Sequence, residues 1–139
     1  MADENPSIIA LALGTNDFPA AREFYVRALG TLGCRIIMEH ECAAAFGKAY
    51  PEFWIQTPFD GAQASRGNGV HVGFMAQSKA EVDAFFKEAI AAGATEDGDP
   101  GHRHDYGEPY YGCFVRDLDG NKIEAAFWDF ELAAKLGMT

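Results

Sequence analysis

The pattern of apolar and polar positions along the chain repeats one design twice. Between Asp17 and Gly30 the residues Ala21, Phe24, Tyr25, Ala28 and Leu29 recur at helical spacing, which predicts an amphipathic helix of about three turns with one buried stripe. Asp17 stands where a side-chain oxygen can accept from an orphan backbone N–H, and Pro19 suits the first turn. Between Ser78 and Gly93, Val82, Phe85, Phe86, Ala89 and Ile90 draw the same stripe. Ser78 and Glu81 have capping-box spacing, and Gly93 supplies the left-handed residue that ends a helix.

Adding 61 to Asp17, Phe24, Tyr25, Ala28 and Leu29 lands on Ser78, Phe85, Phe86, Ala89 and Ile90. The same offset lays Ile9–Leu13 over Val70–Phe74, short apolar runs that read as buried strands. Behind the first helix, Arg35–Met38, Ala43–Phe46 and Phe53–Gln56 are separated by polar residues, Gly and Pro. Behind the second come a weak strand near Ala94–Glu96, then Tyr110–Val115 and Lys122–Phe127. The last two are joined by Asp117–Asn121, whose Asp119-Gly120 step tolerates the positive φ of a tight turn. The expectation is an α+β fold of two tandem βαβββ modules in one domain. Module 1 covers 7–57, a Gly/Ala/Ser-rich linker 58–68, module 2 69–128, and a tail 129–139.

Composition narrows the function classes. At 139 residues, 48% hydrophobic and 23% charged, the chain has the size of one domain with a real core. Its formal net charge is −10, and its 11 Lys and Arg form no run, so no phosphate-tracking surface is expected and nucleic acid is excluded as a partner. No apolar stretch of about 18 residues occurs, and the amino-terminal MADENPS is polar, which predicts neither a membrane span nor a signal peptide. The expectation is a soluble, cytoplasmic protein. Cys34, Cys42 and Cys113 contain no C-x-x-C pair and read as reduced core thiols. There is no phosphate-binding Gly-rich loop, nucleophile elbow or H-E-x-x-H.

Gly69–Phe74, Val82–Phe85, Asp99–Arg103, Tyr110-Tyr111 and above all Phe114–Glu124, with its aspartate-x-aspartate-Gly-Asn-x-x-Glu string, resemble the C-terminal module of glyoxalase/bleomycin-resistance/dioxygenase proteins, the vicinal-oxygen-chelate superfamily. Ala12–Asp17 followed by Phe24-Tyr25 resembles the N-terminal module, so the likeness covers nearly the whole chain. It implies two half-barrels of four strands whose concave faces enclose a pocket for a small-molecule ligand, and homodimers in which modules can be exchanged. In metal-using members the ligands come one each from the first and last strand of each module. Those positions fall here on Ala10, Gln56, His71 and Glu124. Ala10 cannot bind a metal, so a divalent ion (Zn, Ni, Mn or Fe) would rest on His71, Glu124 and Gln56, with a neighbour such as Glu52 completing the set, or no metal is held.

Glu124 is also the candidate proton-moving residue. Without the family context, His71 would read as a hydrogen-bonded core histidine. The stretch Gly101–Tyr106, with Tyr110 and Tyr111, gathers basic, imidazole and phenolic groups in an expected loop at the pocket mouth. It reads either as substrate recognition or as a solvated turn pinned by arginine–carboxylate pairs. Substrate-binding candidates are Trp54, Arg103, Tyr106, Tyr111 and Phe114. Three functions follow from the resemblance: a metal-assisted lyase, isomerase or dioxygenase; a metal-free protein that sequesters a planar compound between aromatic rings; and a structural or regulatory dimer with a relict pocket.

Overall fold

The computed structural model describes residues 7–138; the first six residues of the polar amino-terminal stretch, and Thr139, lie outside it. The elements run β1 (Leu11–Gly14), α1 (Phe18–Gly30), β2 (Arg35–His40), β3 (Ala43–Gly47), β4 (Phe53–Gln56), β5 (His71–Met75), α2 (Lys79–Ala91), β6 (Thr95–Gly101), β7 (Tyr110–Arg116), β8 (Lys122–Trp128) and α3 (Phe130–Lys135). They form two four-stranded sheets of identical layout, β1-β4-β3-β2 and β5-β8-β7-β6. In each, the first and last strands pair in parallel and the others pair antiparallel. This is the tandem βαβββ architecture expected from the apolar pattern.

Both long helices start where their caps place them. The Asp17 carboxylate accepts from the Ala20 N–H at 3.1 Å, and the Ser78 hydroxyl accepts from the Glu81 N–H at 3.1 Å. Glu81 in turn accepts from the Gln77 N–H, at 2.9 Å. Gly93 has φ +111°, while α1 runs through Gly30 and the left-handed turn falls on Gly33, at φ +83°. α1 buries Ala21, Phe24, Tyr25, Ala28 and Leu29, and α2 buries Val82, Phe85 and Ala89, all within one core shared by both modules.

Four expectations need correction. The apolar runs read as buried strands form edge strands: β1 begins at Leu11, and Ile9, Leu11, Val70 and Met75 are exposed because no further strand pairs beyond β1 or β5 among the described residues. The strand near Ala94–Glu96 extends to Gly101, so part of the expected loop is β6. The tail carries α3, capped by Asp129, whose carboxylate accepts from the Leu132 N–H, and anchored by buried Ala133. Of the cysteines only Cys113 is buried; Cys34 is half-buried and Cys42 exposed, because Cys42 falls in the β2–β3 turn rather than on a core-facing strand position.

The hairpin between β7 and β8 fastens the modules together. The buried Asp117 carboxylate accepts from the Tyr25 hydroxyl of α1, from Asn121 Nδ2, and from the backbone N–H groups of Asp119 and Asn121. Asp119 accepts from the Asn16 N–H at 2.9 Å, and Asn121 donates to the Gly14 carbonyl at 3.4 Å. Burial and the neighbouring Asp117 charge push the Tyr25 phenol well above its usual pKa, so it stays a donor. An Arg27–Glu88 pair at 2.8 Å and an edge-to-face contact of Phe53 with Phe74 complete the junction.

Candidate functional site

Strand alternation sorts module 2 into a core side and an open face. Cys113 and Val115 of β7, Ile123 and Ala125 of β8, and Val72 of β5 are buried against the core. Their neighbours Tyr110, Gly112, Phe114, Lys122, Glu124, His71, Gly73 and Met75 therefore share the other face. Register arranges these in rows: His71 beside Lys122 beside Arg116, then Gly73 beside Glu124 beside Phe114 beside Gly98, then Met75 beside Ala126 beside Gly112 beside Gly101. Two of the glycines leave room that the polar group uses. A Cβ at Gly73 would come within 2.8 Å of Glu124 Oε1, and one at Gly112 would run into the Tyr110 hydroxyl.

On this low floor stands a connected polar group. His71 Nε2 lies 3.2 Å from Glu124 Oε1, and the Tyr110 hydroxyl donates to Glu124 Oε2 at 2.6 Å. The Glu124 side chain is 14% exposed and the His71 side chain 44%. A carboxylate so far removed from water needs donors, and it has one on each oxygen. Burial, then the bond to Glu124 and its charge, raise the Tyr110 pKa, which keeps the phenol protonated. In the neutral tautomer that donates from Nε2, His71 presents its Nδ1 lone pair away from the carboxylate. Phe114 forms an apolar plate beside the group. The His71 ring meets it edge-on at 5.9 Å between centroids, and Lys122 Nζ and the Arg103 guanidinium lie 4.7 and 5.8 Å from its centre.

The structure thus brings His71, Glu124, Phe114 and Arg103 together. Among the described residues Arg103 makes no ion pair; it donates to the carbonyls of Asp99 and His102, at 2.6 and 3.3 Å. Tyr106 sits exposed in a short 3-10 turn, edge-on to Tyr110 at 4.8 Å. Tyr111 is one residue out of phase. It turns to the helix side, donating to Asp83 of α2 at 2.7 Å, with His102 and Lys79 against its ring. His102 and His104 do not act together, since His104 lies at the surface beside Asp105. Sequence reasoning missed Lys122, and placed Tyr110 in the pocket-mouth cluster without making it a candidate contact. Counting in twos from Phe114 and Glu124 reaches both.

Trp54 and Gln56 lie on the corresponding face of module 1, where Trp54 stacks on His40 at 6.2 Å. Register fixes their equivalents. Ala12 pairs with Trp54 as Gly73 pairs with Glu124, and Ala12 and Gly73 are themselves offset counterparts. Trp54, not Gln56, therefore matches Glu124, and Gln56 matches Ala126. The four positions implied as metal ligands become Ala10, Trp54, His71 and Glu124, two of which have no donor for a divalent ion. No group of three or more His, Cys, Asp or Glu side chains converges among the described residues. A second copy brought against this face would offer the same Ala10 and Trp54, so the donor set does not suit a resident metal under either arrangement. The cavity beside Gln56 is lined by His40–Ala43, Gln56, Thr57 and Phe59, and the one beside His71 by residues 66–71 with Arg116 and Lys122, so neither spans both open faces.

A glyoxalase/bleomycin resistance protein from Albidiferax ferrireducens T118 is 35% identical, with a TM-score of 0.79, the match covering 88% of this chain and 98% of that one. A glyoxalase/bleomycin resistance protein/dioxygenase family enzyme from Burkholderia phytofirmans PsJN shares the fold at 19% identity and TM-score 0.68, covering 86% and 97%. A lactoylglutathione lyase from Agrobacterium tumefaciens does so at 22% identity and TM-score 0.59, covering 89% and 95%. Among curated proteins none matches. The family model for the Glyoxalase/Bleomycin resistance protein/Dioxygenase superfamily matches residues 7–125, and with the paired βαβββ sheets it shows that the chain belongs to that superfamily.

Proposed function

We propose that the protein binds a small planar organic molecule on the open face of module 2 without a resident metal, the His71–Glu124–Tyr110 group orienting its polar edge and Phe114 meeting its ring. The observation that carries this reading is Trp54 at the position matching Glu124, with Ala10 at the position matching His71. Together they replace two ligands with an apolar wall and a methyl group. The glycine floor supplies space, and a few convergent polar groups beside an aromatic plate are what such sites use. Arg103 is retained in this reading as a further ligand contact and Tyr106 as a rim residue; Trp54, on module 1, joins them where a second copy lays its module 1 face against module 2.

Homodimerisation belongs to the same proposal. The edge strands β1 and β5 and their approaches leave Ile9 92%, Val70 54% and Met75 65% exposed. A second copy would cover them and could close the open face. Among the described residues no helix is long and apolar enough to cross a membrane.

The test is to strip the protein with a chelator and titrate it with phenol and catechol, following backbone amide and imidazole resonances. Shifts at His71, Tyr110, Phe114 and Glu124 that survive the chelator, and that weaken in Glu124→Gln, are expected. Stoichiometric metal retained through purification and lost in Glu124→Gln or His71→Ala would overturn the reading. One observation favours a second reading, an enzyme that moves a proton as lyases and isomerases do. The His71 ring is held against a carboxylate through Nε2, and among the described residues no hydrogen bond engages its Nδ1. Deuterium exchange at a bound carbon acid, lost in His71→Gln, would support that activity.

A further inference from the structure

Three of the chain's 11 lysines and arginines converge beside the polar group, in a protein whose formal charge is −10. A cavity of about 340 Å³ is lined by Arg66, Gly67, Asn68, Gly69, Val70, His71, Arg116 and Lys122, with no carboxylate in its wall. Register builds three of its four basic groups as one row across the sheet, His71 on β5, Lys122 on β8 and Arg116 on β7. The fourth, Arg66, comes from the linker and lies against Gly120, where a Cβ would stand 2.9 Å from its guanidinium.

The charges are only partly neutralised. Asp97 is shared between Arg116 Nε at 3.0 Å and Lys122 Nζ at 3.8 Å, one carboxylate for two cations. Among the described residues Arg66 makes no ion pair. Arg116 Nη1 also donates to the Gly120 carbonyl at 3.2 Å; Asp117, which lines the adjoining cavity with Arg66 and Arg116, is taken up by Tyr25 and Asn121, and Glu124 by His71 and Tyr110. Arginine forks and a lysine point charge with one shared counter-ion suit a multi-oxygen anion. Two of the lining residues, His71 and Lys122, also touch the Phe114 ring, which makes the cavity continuous with the aromatic plate.

We propose that this cavity seats the anionic group, a carboxylate or a phosphate, of the small molecule received by the open face. The substrate class is then an aromatic or otherwise planar acid, its ring toward Phe114 and its charge toward Arg66, Arg116 and Lys122. The inference rests on the open face being the ligand site, and the test separates the two.

The full-length protein is titrated at low salt with benzoate, with benzyl alcohol as its neutral counterpart, and with inorganic phosphate, while amide resonances are followed. Benzoate is expected to bind about tenfold more tightly than benzyl alcohol, a preference lost in Arg66→Gln/Lys122→Gln and erased by high salt. Arg66 is exposed in the linker, so Arg66→Gln alone gives a folded control that should lose part of the preference. Equal binding of benzoate and benzyl alcohol at Phe114 would overturn the anion site while leaving the planar-ligand reading standing. Phosphate or benzoate shifts confined to residues 66–71, Arg116 and Lys122, with Phe114 unmoved, would support the anion site and count against that reading. Silence from all three probes would overturn both.

Discussion

Ala12 and Trp54 occupy on module 1 the strand positions that Gly73 and Glu124 occupy on module 2, and Ala10, just ahead of β1, is the offset counterpart of His71. Core-facing counterparts have stayed alike in kind, as Leu13 and Phe74, Phe53 and Ile123, or Phe24 and Phe85 show. The open faces have not. One carries a stacked Trp54–His40 pair over alanines, the other a carboxylate with two donors and a fringe of cations. Packing holds the inner positions of both copies to apolar residues, whereas nothing in the fold requires the outer positions to match, so chemistry settles on one copy alone.

The largest effect should come from separating the halves. In Asp117→Ala the buried Tyr25 hydroxyl and two backbone N–H groups lose their acceptor, and stability should fall by about 3 kcal/mol, read from the urea midpoint with an unchanged m-value. Next, Ala10→His with Trp54→Glu makes module 1 resemble module 2. Zinc and nickel affinity should rise about a hundredfold, near 2.7 kcal/mol, if the two faces meet in the assembly. Gln56→Glu, two residues out of register, should do little by comparison. No gain in the double variant would mean that the faces stay apart.

That register shift marks the boundary of what the sequence makes legible. Both long helices and seven of the eight strands follow from caps and apolar runs, because their residues pack at least partly against the core. β6 shows only a weak start: Thr95–Gly101 reads TEDGDPG, with no apolar alternation, and pairs through its backbone with two irregularities. α3 is too short to display a period. The 61-residue offset holds through β5 and α2 and fails beyond them, since module 2 spends more residues between its later strands, so β4 and β8 can be matched only by the register of their pairing with β1 and β5. Tyr110 and Lys122 were legible in principle, since period two from Phe114 and Glu124 selects them and rejects Tyr111.

A smaller change sharpens the chemistry of module 2. Tyr110→Phe removes one of the two donors on Glu124 and should cost about 1 kcal/mol of phenol or catechol binding, roughly fivefold, with His71 resonances shifted in the free protein. The smallest effect at neutral pH, and the one confined to alkaline solution, belongs to Cys113 behind the open face. Burial pushes its thiol from 9.0 to about 12. Above pH 9 the unfolded chain has released that proton and the folded chain has not, so stability should fall as pH rises through this window. Cys113→Ala should flatten that fall, measured by thermal unfolding between pH 8 and 10, while Cys42→Ala, exposed on module 1, should leave it unchanged.

The clasp at Asp117 has a consequence for synthesis. Tyr25 and its acceptor are 92 residues apart, so on the ribosome the phenol of α1 emerges long before the hairpin that satisfies it. Module 1 therefore waits, with a polar group that burial would strand, until β7 and β8 have been made, and the hairpin between them locks α1 in place.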